Sequence, residues 1–308
     1  MKPAKDPRKH HFVPKFYLES WVSSEDHQLE EFKRNYGGQI VSRRWGPGGT
    51  GFKKDLYAMP GVPKAERQIV ERTFMSMVDT TAADAYRELL QGRIPQTLKG
   101  RVAWARFMLS LLIRNPDEIS AFKQFVSKSW TRPRPEVQAK YVLFKKPGDP
   151  DSAGEFLLNK DPTMPLRTAI LSATNTITNP TILDGFLKMQ WHVADLSSLT
   201  TRLLTSDRPL YMTDGISRPD GHMFLPLSPT HLFVAASYSS GMDKITRAPR
   251  SKLLRTSNMA VVQQAQEWVY AVDNSQIGLI RREMSKMKQV SLIRRILADD
   301  ADEAATTV

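Results

Sequence analysis

Between Val70 and Leu90 apolar side chains recur at steps of three and four: Val70, Phe74, Met77, Val78, Ala82, Ala85, Tyr86, Leu89 and Leu90. That period places them on one face of a long helix, with Pro63 suited to its first turn and Gly92 and Pro95 ending it. The next stretch, Leu98 to Arg114, is apolar almost all round, which predicts a helix at the centre of the fold. It stops at Asn115-Pro116. Asn115 is a good N-cap for a following helix, Pro116 fits its first position, and Asp117 and Glu118 face the positive end of its dipole. Ile119, Phe122, Val126 and Trp130 share one side of that helix. Prolines and mixed charge from Arg132 to Pro165 predict an irregular connection with a short helix near Glu136 to Phe144. Thr168 to Lys188 reads as helix interrupted at Pro180.

From Met189 the pattern changes. Met189 to Ala194, Thr200 to Thr205, Met223 to Leu227 and His231 to Ala236 have the composition of strands separated by Pro, Ser and Asp turns. A basic helix from Arg250 to Glu267, a strand from Trp268 to Val272 and a last helix after Asn274-Ser275 follow. Earlier, Gly37-Gly38 and Trp45 to Gly51 form a Gly-rich surface loop between two short strands. Its spacing is neither Rossmann nor Walker type. This order predicts an α+β protein, with a helical N-terminal half packed against a mainly antiparallel sheet flanked by helices. One two-lobed domain is expected over residues 1–298: a helical lobe at about 60–188, a sheet-containing lobe at about 189–298, and an N-terminal arm, 1–22, bridging them. Residues 299–308, with Asp299, Asp300, Asp302 and Glu303, read as a solvated acidic tail.

Composition narrows the field. With 308 residues, 41% hydrophobic and 25% charged, the chain has the make-up of a globular protein. It contains no cysteine, so disulfides, thiolate metal sites and Cys nucleophiles are excluded. The longest apolar stretch, Val102 to Ile113, holds Arg106 and falls short of the roughly 20 residues a membrane span needs. The first fifteen residues carry charge without an apolar core, so no secretory signal is read, and a cytoplasmic location is expected. Lys and Arg outnumber Asp and Glu by 44 to 32, a net charge of +12. The excess gathers in three clusters, at Lys128–Lys146, Lys244–Arg255 and Arg281–Arg295. Clustered base suits phosphate contacts as well as plain solvated helix faces. The expected partner is therefore nucleic acid, without a membrane.

Four places set polar groups in apolar or turn contexts. In Arg8 to Leu18, two histidines precede Phe12, Val13, Phe16, Tyr17 and Leu18; burying these draws His11 inward as base, ligand or core hydrogen-bonder. Arg114 ends the most apolar helix, where it either complements the dipole or clamps an anion. Asp207, in Leu203 to Pro209, emerges at a strand end beside Ser206, as a functional carboxylate or a turn cap. Asn258 sits mid-helix, where Asn is favoured only if it bonds something specific. His10, Lys15, Tyr17 and Arg255 are the adjoining candidate substrate contacts.

HHFVPKFYL at 10–18, Arg106-Phe107 through Arg114-Asn115-Pro116, LTSDRP at 204–209, FPLSP at 224–229 (read Phe224-Leu225-Pro226-Leu227-Ser228-Pro229), Asn258 and Glu267 to Tyr270 follow one another in order. This series resembles the family called domain of unknown function 4238, over roughly residues 9 to 272. The resemblance implies a bacterial, phage or occasionally fungal group without an assigned reaction. It also implies that His11, Arg114, Ser206, Asp207 and Asn258 form one catalytic site; the family usually has Asn where this chain has Arg208. His10 to Pro14 is also similar to the first strand of His-Asn-His nucleases, with Asn35 24 residues beyond His11, but no histidine lies between His27 and His192 to complete such a set. No Gly-x-Ser-x-Gly elbow accompanies Ser206, and His222 and His231 lack metal-ligand spacing.

Two functions are therefore expected. One is hydrolysis of a phosphodiester or similar nucleic-acid-like anion, with His11, Asp207 and Arg114 as the working groups and a divalent metal as the cofactor left open. The other is a noncatalytic nucleic-acid- or protein-binding module in which the polar set is a structural network.

Overall fold

The computed structural model describes residues 8–213, 218, 221–287 and 291; the acidic tail and Lys288, Arg294 and Arg295 of the third basic cluster lie outside them. The chain opens with strand β1 (Lys9–His11) and a one-turn helix α1 (Lys15–Leu18), then a hairpin of β2 (Leu29–Arg34) and β3 (Ile40–Trp45), and β4 (Phe52–Lys54). A π-helix (Val70–Met75) runs straight into α2 (Ser76–Leu90). Helices α3 (Leu98–Ile113), α4 (Pro116–Trp130), α5 (Pro135–Phe144), α6 (Ala153–Lys160), α7 (Met164–Ile177) and α8 (Pro180–Lys188) follow. Next come β5 (Gln190–Asp195), β6 (Thr205–Ser206), β7 (Tyr211–Met212), β8 (His222–Pro226), β9 (His231–Ala236), α9 (Ser239–Thr246), α10 (Arg250–Gln264), β10 (Trp268–Ala271) and α11 (Ile277–Glu283).

The α+β class is as the sequence implies, and among the described residues every strand pairing is antiparallel. There are two four-stranded sheets, β3-β2-β10-β6 and β5-β9-β8-β7, and a ribbon of β1 with β4. The first sheet joins the two ends of the chain, since Val269 of β10 lies between Phe32 of β2 and Ser206 of β6. The all-round apolarity of α3 has the expected consequence: Trp104, Phe107, Met108 and Ile113 are buried at its centre. Trp104 stacks on Phe107, with ring centroids 5.1 Å apart, and meets Phe233 of β9 edge-on at 5.7 Å. This aromatic contact fixes the helices against the second sheet.

Several boundaries differ from the sequence pattern. The helix expected from Pro63 begins only at Val70, because residues 64–68 form turns. The interruption read at Pro180 is there, because the Asn179 side chain accepts from Ile182 N–H and Pro180 takes the first position of α8, but α7 begins at Met164, four residues before the expected Thr168. Asn115 and Pro116 begin α4 in the same way, with the Asn115 side chain accepting from Asp117 N–H at 3.0 Å. Only Thr205 of the expected strand Thr200 to Thr205 is in a strand. Leu203 N–H donates to the Pro229 carbonyl and Leu204 N–H to the Asn258 side chain, so no strand neighbour serves them. Helices α6 and α9 were not anticipated by the pattern.

Candidate functional site

β1 alternates its side chains, so His10 and His11 face opposite ways. His10 is fully buried. Its Nδ1 accepts from Tyr57 N–H at 2.9 Å, which makes Nε2 the protonated nitrogen, donating to Gln68 Oε1 at 2.6 Å. Gln68 in turn donates to Asp55, which pairs with Arg8 at 2.6 Å. The His10 ring also stacks on Tyr57. His10 is thus saturated, and it holds β1 against the 55–57 turn.

His11 is half-buried and differently placed. Its ring hydrogen-bonds to the Gly48 carbonyl, and Nε2 is buried with no partner among the described residues. The Gly48 bond therefore belongs to Nδ1–H, which leaves a lone pair on Nε2. Burial, with the charges of Lys9, Arg114 and Lys15, pushes the imidazole down to about 4, so it is neutral at neutral pH.

Across from it stand two carboxylates and a guanidinium. Glu71 receives a hydrogen bond from the His11 backbone N–H, while its Oε2 is buried without a partner. Burial, with Asp79 adding negative charge, raises Glu71 to about 7 against the pull of Arg114. Arg114 caps the C-terminus of α3, where its N–H bonds Ser110 O at 2.8 Å. Its side chain is completely buried, and Nη1 pairs with Asp79 Oδ1 at 2.8 Å. Nε and Nη2 have no partner among the described residues, so part of the donor fork is uncommitted. Tyr57 Oη donates to the Arg114 carbonyl at 2.6 Å and fixes the turn that carries the guanidinium. Burial also raises the Asp79 carboxyl, against the attraction of Arg114. The Asp79 side chain is 26% exposed and Glu71 is half-buried, while Arg114 and the unpartnered atoms of His11 and Glu71 are buried beneath them.

The π-helix explains how Glu71 and Asp79 come together. Ser76 N–H bonds the Glu71 carbonyl, a five-residue step. One wide turn and one ordinary α-turn together take about eight residues, so positions 71 and 79 share a face, whereas a regular helix of 3.6 residues per turn sets them about 80° apart. A single wide turn of this kind often marks a functional position.

The other candidates lie elsewhere. Asp207 directly follows β6, and its two carboxylate oxygens accept from the backbone N–H groups of Gln266 (2.9 Å), Glu267 (2.6 Å) and Trp268 (3.3 Å). Burial raises Asp207 to about 6, the three N–H donors and Arg208 opposing it. Its link to the Arg114 region runs through the backbone: Asn115 Nδ2 reaches the Asp207 carbonyl at 3.4 Å. Ser206 Oγ accepts from Arg208 N–H. Asn258 accepts from Leu204 N–H and donates to the Arg202 carbonyl and Gln276 Oε1, each at 2.9 Å. It lines, with exposed Arg255, a groove of about 380 Å³ bounded by Leu199, Leu254 and Leu279. Tyr17 Oη donates to the Pro226 carbonyl at 2.6 Å and so accepts from the Thr205 hydroxyl at 2.7 Å, fully buried. Exposed Lys15 pairs with Glu19 and adds positive charge near His11.

Of the five residues grouped on sequence, the structure brings His11 and Arg114 together, joined by Glu71, Asp79 and Tyr57, which sequence reasoning did not select. The available signal was an acid three residues before Phe74 and another one residue after Val78, at the edge of the apolar face. Among the described residues no three His, Asp or Glu side chains group so as to hold a metal ion, and no helix is long and apolar enough to cross a membrane. Lys244, Arg247, Arg250, Lys252 and Arg255 are exposed along α9 and α10.

Neither the curated proteins nor the solved structures contain a match to the chain. The family model described as "Protein of unknown function (DUF4238)" matches residues 9–275, so the chain belongs to that family.

Proposed function

We propose that this protein is a hydrolase acting on a phosphodiester or similar nucleic-acid-like anion at the His11–Glu71–Asp79–Arg114 cluster. The observation that carries the reading is a neutral imidazole with an unpartnered Nε2 set beside a buried guanidinium with two unpartnered nitrogens. A pKa near 4 keeps the Nε2 lone pair free across the working pH range, although it makes this imidazole a weaker base than an ordinary one. Arg114 presents N–H donors to an anionic oxygen, and its pairing with Asp79 fixes their direction.

In this reading His11 Nε2 removes a proton from water as the water oxygen attacks phosphorus. Arg114 stabilises the charge that develops on the non-bridging oxygens. As the phosphorus–oxygen bond breaks, Glu71 gives its proton to the leaving oxygen; a carboxyl raised to about 7 is still partly protonated at neutral pH. Asp79 is a positioning residue, acting through Arg114. Lys9 and Lys15 hold the substrate's further negative charge near His11. Asp207 has no part in this chemistry, since backbone N–H groups occupy both its oxygens.

The test is hydrolysis by the full chain of single-stranded DNA, duplex DNA, RNA and bis(p-nitrophenyl) phosphate, with and without Mg²⁺ or Mn²⁺. Cleavage of at least one substrate, reduced at least about 100-fold in His11→Ala with an unchanged melting curve, is expected. Intact substrates under all conditions overturn the reading. The saturated bonding of Asp207, Asn258 and Tyr17 favours a second one, a noncatalytic binding module. There, nucleic acid binds with steep salt dependence and stays intact, and His11→Ala chiefly lowers the melting temperature.

A further inference from the structure

Helix α5 has no buried residue. Its inward side is spent on a hairpin with α6: Gln138 donates to the Asp151 carbonyl and accepts from Ala153 N–H, while Tyr141 donates to the Pro150 carbonyl and packs on Phe156. The hairpin is seated on the end of α4 at Gly154, where a Cβ would come within 1.9 Å of the Trp130 carbonyl oxygen. The outward side carries Val137, Lys140 and Phe144 at three- and four-residue steps, with Leu143 beside Lys140. Val142, Leu143 and Phe144 are 59, 78 and 79% exposed, and Val137 46%. Single exposed apolar residues are ordinary; three consecutive ones at a helix end, on a helix that buries nothing, form a patch that calls for a covering surface.

The charges around the patch choose the occupant. Residues 128–151 hold six cations against three acids, and two of those acids are engaged locally: Asp151 pairs with Lys145, and Asp149 accepts from Lys146 N–H. Exposed Lys140 and Lys146 flank the apolar tip. Of the exposed tip only Phe144 offers a ring for a base to stack on, while Val142 and Leu143 beside it are aliphatic, so the tip as a whole suits a nucleic acid poorly. An apolar tip ringed by lysines suits a bilayer bearing anionic headgroups, where the tip enters the acyl boundary and the lysines stay with the phosphates. We propose that α5 docks this protein on an anionic lipid surface. The expectation of no membrane partner rested on the lack of a spanning segment, which does not bear on surface attachment.

The experiment is flotation of the full chain with vesicles of 70% phosphatidylcholine and 30% phosphatidylserine, against pure phosphatidylcholine, in 0.15 M salt. At least tenfold more protein should float with the anionic vesicles. The double variant Leu143→Asp with Phe144→Asp should lose at least tenfold of that binding with an unchanged melting curve, since neither side chain is buried. Equal flotation of variant and parent overturns the proposal. So does absence of binding to the anionic vesicles, as does self-association at micromolar concentration that the double variant abolishes without any vesicle binding. Duplex DNA retained by the full chain but not by the double variant overturns it as well.

Discussion

The cluster around Arg114 and the network around Asp207 are built from the same kinds of buried polar side chain, and they differ in how many of their atoms are satisfied. Asp207, Asn258, Ser206 and Tyr17 each spend their hydrogen-bonding atoms on backbone or neighbouring side chains. They tie the loop at 202–204, the turn at 266–268 and the hairpin at 226 into one body. In the Arg114 cluster, His11 Nε2, Glu71 Oε2, and Arg114 Nε and Nη2 are left over. A buried polar group without a partner costs free energy of about 1–3 kcal/mol, so a protein keeps several together only where something else is bound or turned over. Single unpartnered atoms also occur beside the Asp207 network, at Arg208 Nε and Ser257 Oγ; what distinguishes the Arg114 cluster is that four of them, on three side chains, face one another.

The widest break in that comparison comes from exchanging readouts. Asp207→Ala strands three backbone N–H groups in the interior and should cost on the order of 3 kcal/mol or more in denaturant unfolding, leaving hydrolysis by the surviving folded fraction unchanged. His11→Ala should do the reverse: at least about 100-fold lower turnover for less than about 1 kcal/mol of stability. A loss below about 1 kcal/mol for Asp207→Ala, or a drop in turnover at equal folded fraction, merges the two regions into one.

The next effect is the pH dependence of stability, in which the cluster opposes itself. The native His11 titrates near 4 and the unfolded one near 6.5, so between those values the unfolded chain holds the extra proton. Its neutral form gives stability that is complete above 6.5 and is lost as the pH falls to 4, up to about 3 kcal/mol. Glu71 runs the other way. Raised from 4.5 to about 7, its protonated form gives stability that is complete below 4.5 and is lost as the pH rises through 7. The two slopes largely cancel between pH 4.5 and 6.5. Measured as a difference from the parent chain, which subtracts Asp207, His11→Phe should steepen the decline of stability with rising pH, and Glu71→Gln should turn it upward. Parallel pH curves for all three proteins contradict the titrations assigned to the cluster.

Local signals in the chain carried much of the fold and little of the site. The apolarity of α3 announced its central place, and Asn115-Pro116 announced the start of α4, because both depend on neighbours within a few residues. The pairing of β2 with β10 links positions more than two hundred residues apart, and no local pattern encodes it. His11 and Arg114 were legible as polar groups at the edge of apolar runs. Glu71 and Asp79 were not, because a 3.6-residue period puts them on different faces and only the wide turn aligns them. Asp207 and Asn258 stood out for a sound reason, since each bonds something specific; that something is the chain's own backbone.

A smaller expected effect comes from Asn258→Ala. It removes one acceptor and two donor contacts around Leu204, Arg202 and Gln276, and should cost about 2 kcal/mol without altering turnover. The smallest comes from replacing Arg114 by Met together with Asp79 by Asn. A buried ion pair contributes little net stability, because desolvation offsets much of its attraction, and here two guanidinium nitrogens lack a hydrogen-bond acceptor although the group lies over the Phe107 ring. The paired replacement removes both charges at once and leaves no lone ion behind. Unfolding free energy should stay within about 1 kcal/mol of the parent or rise above it, while turnover falls by at least about 100-fold, the scale of a lost charge-stabilising donor. Equal destabilisation by this variant and by Asp207→Ala would mean that Arg114 belongs to the scaffold after all, and the distinction between satisfied and unsatisfied groups would lose its functional content.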